Sequence, residues 1–136
     1  MKPERVDLDG VTEVNELIDR IVRMRVREAH GLAGALGSRD MQSLHDFRIA
    51  CKRLRYALER FGSIAPDLAQ AAVRLACLQD ALGEAHDRDV LLTIVPPAML
   101  QTERQLRNER EGYVDQAAAL WRELEQLMQA LDSHPI

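Results

Sequence analysis

An all-α, antiparallel up-and-down bundle of four long helices is the fold this 136-residue sequence predicts, and three observations predict it. Ala, Leu, Arg, Glu and Gln dominate while aromatic residues make up 4% of the chain, a balance that favours helix over strand. Apolar residues recur at spacings of three and four through four long segments. Glycines and prolines gather between those segments, so connections are short and consecutive helices pack antiparallel. One domain with its own core suffices at this length. It is expected over residues 11–132, between tails at 1–10 and 133–136.

The first helix is expected from near Thr12, with Glu16 supporting its start, to about Leu36, where Gly37 stops it. Its apolar side is Val14, Leu17, Ile18, Ile21, Val22, Ala29, Leu32 and Leu36. Ser38, Asp40 and Ser43 are candidate caps for the second helix, at about 42–62. That helix has the cleanest amphipathic pattern, with Leu44, Phe47, Cys51, Leu54, Leu58 and Phe61 on one side and Gly62 at its end. The third begins at Pro66 and aligns Leu68, Ala71, Leu75, Leu78 and Leu82; Gly83 is expected to bend or interrupt it before the Pro96–Pro97 stop. The fourth runs to about Leu131 with Leu106, Tyr113, Ala117, Leu120, Leu124, Leu127 and Leu131 facing inward.

No run approaches the roughly 18 to 20 apolar residues of a membrane span. The start, MKPERVDLDG, lacks the basic and apolar regions of a signal peptide. The expected location is the cytoplasm, without a membrane partner. Cys51 and Cys77 stand apart from any metal-ligand spacing and read as small core residues in a reducing compartment.

The net charge of −4 averages two opposite regions. Residues 20 to 60 hold ten of the eighteen Lys and Arg but four of the twenty-two Asp and Glu, so this stretch is +6 and the remainder −10. Such asymmetry points to a local anion site rather than a basic coat. At about 100° per residue, His45, Arg48, Lys52 and Arg55 fall within about 80° of one another, with Arg53 flanking them and the apolar stripe opposite. Arg20, Arg23, Arg27 and His30 repeat the spacing on the first helix. An antiparallel hairpin would bring His30 near His45 and Arg20 near Arg55, so that two basic rows line one groove. Arg25 projects nearer the apolar side and needs a buried partner or a route to solvent.

Like charges three and four apart cost about 0.2 to 0.5 kcal/mol per pair. Two readings of the row stand side by side: a bound anion, or a salt-bridged face whose acids come from Asp80, Glu84 and Asp87. Arg offers forked donors and Lys a mobile point charge, both suited to phosphate. Tyr56 is the only nearby aromatic able to stack on a base, which favours phosphate without bases and leaves a nucleic-acid backbone as the weaker alternative.

The dipeptides His45-Asp46 and His86-Asp87 raise a second class, a helical metal-dependent phosphohydrolase of HD type. Against it, the Arg and Lys around His45 repel a cation. No nucleophile with an adjacent base, Gly-rich phosphate loop or zinc spacing is present. A structural helical interaction module without a ligand is the third class. The expectation is a protein without catalysis, metal or cofactor, and His134 has no assigned role.

LHDFRIACKRLRYALERF, followed by LACLQDALGEAHDRDVLL, resembles the signature of CHAD domains, the conserved-histidine α-helical domains. The matching positions are His45, Arg48, Lys52, Arg53 and Arg55, then Leu78, Gln79, Asp80, Leu82, Gly83 and Asp87. The resemblance implies a helical domain that binds inorganic polyphosphate without catalysis, through His45, Arg48, Lys52, Arg53 and Arg55. Arg20, Arg23, Arg27, Arg104 and Arg107 join that set from helix geometry. Family domains are about twice this long, built of two related four-helix bundles, and KRLRYALE with LQDALGEAHD resembles the second. The chain therefore stands for half of a two-bundle CHAD arrangement, which a homodimer would rebuild. The resemblance also suggests association with polyphosphate granules.

Overall fold

The computed structural model describes residues 2–63 and 65–133, with side chains as far as Gln129. The helices are α1 (Val14–Leu32), a single turn α2 (Ala35–Ser38), α3 (Met41–Phe61), α4 (Pro66–Ile94) and α5 (Leu100–Ser133), with no strand among the described residues. The expected four long helices are present. α1 packs on α3, α3 on α4 and α4 on α5, while α2 bridges α3 and α5. Contacts between neighbours run in opposite numerical directions. Arg74 meets Glu123, Arg88 meets Glu109 and Asp89 meets Arg110. His45 likewise faces His86, and Gly62 faces Ala69. These pairs are antiparallel.

Local chemistry sets the boundaries. α1 starts at Val14 behind Glu13, which makes no side-chain cap bond, so Thr12 is not the cap. Glu16 instead puts negative charge by the positive helix end. α1 stops at Leu32, short of the expected Leu36, because Gly31, Gly34 and Gly37 weaken the helix at every third residue. The chain tightens there through bonds three residues apart, Ala33 N–H to His30 O, Leu36 to Ala33 and Gly37 to Gly34. Arg39 closes α2 in the left-handed region at φ 59 and returns its N–H to Ala35 O. Asp40 caps α3, accepting the N–H groups of Gln42 and Ser43 at 3.3 and 3.1 Å.

α3 buries Leu44, Phe47, Ala50, Cys51, Leu54 and Leu58, leaving Phe61 half-buried. α4 buries its expected stripe of Leu68, Ala71, Leu75, Leu78 and Leu82 and adds Gln79. On α5 the buried residues are Val114, Ala117, Trp121 and Leu124, so the inward face is rotated from the expected line and Tyr113 is half-buried. Leu131 lies outside the described side chains. Phe47 meets Trp121 edge to face, with centroids 5.1 Å apart, at the centre of the bundle. Cys51 is fully buried, and burial pushes its thiol far above the usual range. Cys77, expected in the core, is exposed, because it falls on the outer side of α4.

α4 is one uninterrupted helix, so Gly83 does not interrupt it. A Cβ at Gly83 would lie 3.7 Å from Arg48 Nη2, an ordinary contact. Gly83→Ala should therefore raise stability by about 0.5 to 1 kcal/mol, from helix propensity alone. Urea unfolding of the two proteins at equal slope measures this; a destabilised variant would mean that the position needs glycine for packing.

Candidate anion-binding site

The basic row is displayed because α3 carries two faces. His45 and Lys52 are exposed, while Arg48 and Arg55 are half-buried, Arg48 leaning into the α3–α4 seam. Arg48 lies across α4 with its guanidinium over Gly83. Beside it the His45 and His86 rings stand 6.1 Å apart, tilted by 36°. In the antiparallel register His45-x-x-Arg48 on α3 is opposed by Gly83-x-x-His86 on α4. Arg48, His45, His86 and Asp89 line one small depression.

Partners sort the cations. Of the half-buried arginines among the described residues, Arg20, Arg25, Arg39, Arg53, Arg55, Arg88 and Arg110 each have a carboxylate within 4 Å. Arg48 has none, and its Nε is buried without an acceptor. Lys52 has Tyr56 as its neighbour, with Nζ 5.8 Å from the ring centroid. Arg55 packs over the same ring at 5.1 Å and reaches the exposed Glu59 at 3.4 Å. An exposed pair of that kind is worth about 0 to 1 kcal/mol. The acids expected to neutralise the row go elsewhere: Glu84 binds Arg88, while Asp80 and Asp87 are exposed. Asp89, within the seam, is held by Arg110 at 2.7 Å, and Arg110 also donates to Arg39 O at 2.5 Å.

The other sequence candidates lie apart from this row. Arg53 points about 100° round the helix from Lys52 and faces α1, where its Nη1 is 3.9 Å from Glu28. Glu28 also binds Arg25 and accepts the Glu4 N–H at 2.9 Å. Arg20, Arg23 and Arg27 lie on the side of α1 away from the buried Ile18, Val22 and Ala29. Arg20 pairs with Glu16 and donates to the carbonyls of Asp7 and Asp9 in the non-helical segment before α1; Arg23 pairs with Asp19 at 2.7 Å. Arg104 and Arg107 are exposed near the start of α5, and Arg107 binds Glu103 at 2.9 Å.

The expected meeting of His30 with His45 does not occur. His30 lies on the α5 side, 3.7 Å from Glu125, on a groove with Val26, Leu54 and Trp121, whereas His45 lies on the α4 side. The two basic rows do not line one groove, because α1 turns its row outward. The seam instead adds Gly83 and His86, which were left out of the sequence-derived set. Their signal was the mirrored spacing of HxxR and GxxH in an antiparallel pair.

A family model described as the CHAD domain matches residues 4–96. The chain belongs to the CHAD family. No curated protein and no solved structure matches it. The CHAD match takes in α1 through α4, including both sides of the seam; α5 follows it. CHAD domains are non-catalytic, and membership accords with a role in binding polyanions. Among the described residues no group of three or more His, Cys, Asp and Glu side chains is placed to hold a metal ion. No helix is long and apolar enough to cross a membrane, among the residues described.

Glu28 shows what neutralising these arginines does for the fold. Burial raises its carboxyl, but the Glu4 N–H together with Arg25 and Arg53 outweighs that and holds it below the ordinary 4.5. A lowered folded-state value stabilises above the unfolded value and is lost as pH falls through the folded one. Glu28→Gln should cost about 1 to 3 kcal/mol at pH 7 and flatten the loss of stability below pH 4.5. Urea titrations at pH 7 and pH 3.5 test this; equal losses at both pH values would contradict it.

Proposed function

We propose that this CHAD protein binds inorganic polyphosphate, without catalysis, along the row His45, Arg48, Lys52 and Arg55 of α3. The observation that carries the reading is Arg48, the half-buried arginine without a carboxylate among the described residues. A guanidinium with a buried, unsatisfied donor costs about 1 to 3 kcal/mol until an acceptor arrives. A phosphate oxygen supplies that acceptor and the missing negative charge. Lys52 and Arg55 continue the row at one-turn intervals, which suits a ligand that repeats its charge. Tyr56, beside these two cations, is a single ring, which gives successive bases little to stack on.

Arg53 enters the reading with a different weight, since Glu28 holds it on the α1 side. Arg20, Arg23 and Arg107 are likewise engaged by acids, and Arg27 and Arg104 lie off the row, so all five act as peripheral charge. A second copy of the chain, brought together as a homodimer, would double the row for one long ligand.

Replacing Arg48, Lys52 and Arg55 together by Ala should weaken long-chain polyphosphate binding at least 30-fold. It should also reduce the slope of log K against log salt by about 2, from three lost charge contacts. Titration at two salt concentrations, with molar mass followed by light scattering, reads ligand and assembly together. Unchanged affinity in the triple variant would reject the site, and an unchanged monomer mass at saturation would reject the dimer.

A further inference from the structure

We infer that the anion site crosses the seam onto α4, that His86 is a second imidazole contact for the same polyanion, and that ligand binding therefore takes up protons. This rests on the polyphosphate reading of the α3 row and extends it to another helix. His86 and His45 come from different helices yet stand 6.1 Å apart at one depression with Arg48. At that centroid distance one phosphate oxygen can reach a nitrogen of each ring at roughly 2.7 to 3 Å once the rings turn their N–H groups toward it. Phosphate oxygens are acceptors, so both imidazoles must present N–H groups, and the imidazolium form adds charge as well. Without an anion, two imidazolium rings beside the unpaired Arg48 repel one another. A phosphate between them removes that repulsion.

The charged neighbours support this assignment. On α3 the pair faces Arg48, while Asp46, next to His45 in the chain, accepts a hydrogen bond from Gln42 at 3.1 Å. On α4 it faces Asp89, and Asp87 follows His86 along the exposed edge. From α5, Arg110 reaches Asp89 at 2.7 Å, with both side chains about one-eighth exposed. The seam's carboxylate is thus already neutralised, so the imidazole pair and Arg48 are the groups left to meet an added negative charge. Imidazole is the side chain whose charge changes near neutral pH, which makes the coupling visible between pH 6 and 8.

The test is calorimetry with long-chain polyphosphate at pH 7, in two buffers of different ionisation enthalpy, on the wild type, His86→Gln, His45→Gln and the Arg48/Lys52/Arg55 triple alanine variant. The wild type should take up on the order of one proton per site. Each Gln variant should take up less than half as much, and should bind at least 5-fold more weakly than wild type at pH 6 but within 2-fold at pH 8. Wild-type binding with no proton uptake would overturn the inference while leaving the polyphosphate reading intact. Uptake unchanged in His86→Gln but lost in His45→Gln would remove His86 from the site. A wild type that does not bind, or a triple variant that binds as tightly as wild type, would overturn the underlying reading itself. Should His86→Gln fail to fold, retention of full uptake by His45→Gln overturns the pair equally well.

Discussion

The neutralisation of half-buried guanidinium groups is the constraint on which this bundle depends. α3 and its neighbours are joined by an apolar core, and arginines stand half-buried at its perimeter. Each such arginine is desolvated in part and would oppose packing without a partner. Glu28 answers Arg25 and Arg53 at the α1–α3 contact, Asp89 answers Arg110 at α4–α5, and Glu84 with Glu109 answers Arg88. Arg39, held in the left-handed region, ties the α2–α3 corner to Glu111 and Asp115 of α5. Glu28–Arg53, Asp89–Arg110, Glu109–Arg88 and the Arg39 pairs join different elements, so they set the rotation of each helix as well as offsetting desolvation.

Against that pattern the α3–α4 seam is an exception, and the exception lies where the two helices approach over a glycine. There the Arg48 guanidinium lies over Gly83, half-buried, at a distance that a Cβ would also allow. A half-buried arginine loses rotamer freedom and part of its hydration before any ligand arrives. Those costs therefore fall on folding, and binding an anion needs less reorganisation. Apolar burial on the opposite face of α3, from Leu44 through Leu58 and the Phe47–Trp121 contact, is what holds the helix in place under that load.

The parts legible in the sequence were those with a period. The stripe on α4 is buried in full and that on α3 in all but Phe61, because a helical face is set by spacing alone. Axial register and rotation are set by contacts between distant residues, so they were not legible. His30 was therefore matched to His45, although α1 meets α3 with Glu28 beside Arg53 and turns its arginines outward. Arg53 shares the KRLR run with the row and yet belongs to another face. Gly31, Gly34 and Gly37 end α1 early through their summed propensity, whereas Gly37 alone would put the end at Leu36. Trp121 is not legible on α5 because Leu120 fits the stripe one position earlier.

The acidic remainder of the chain sharpens what the row can select. At a distance the protein presents its net charge of −4, which does not attract a polyanion. Within a Debye length of about 8 Å at physiological salt, the local field of α3 dominates instead. Discrimination then depends on how closely a ligand can approach the seam. A wide duplex brings many of its phosphates against the acidic surroundings, where they meet repulsion. A thin, flexible chain of phosphates would follow one helix edge and place its charge on Arg48, Lys52 and Arg55, where Asp89 is already held by Arg110 and Glu59 by Arg55. On the polyphosphate reading, local positive charge in a negative protein would therefore act as a filter on ligand width, a property that a uniformly basic helical bundle would lack.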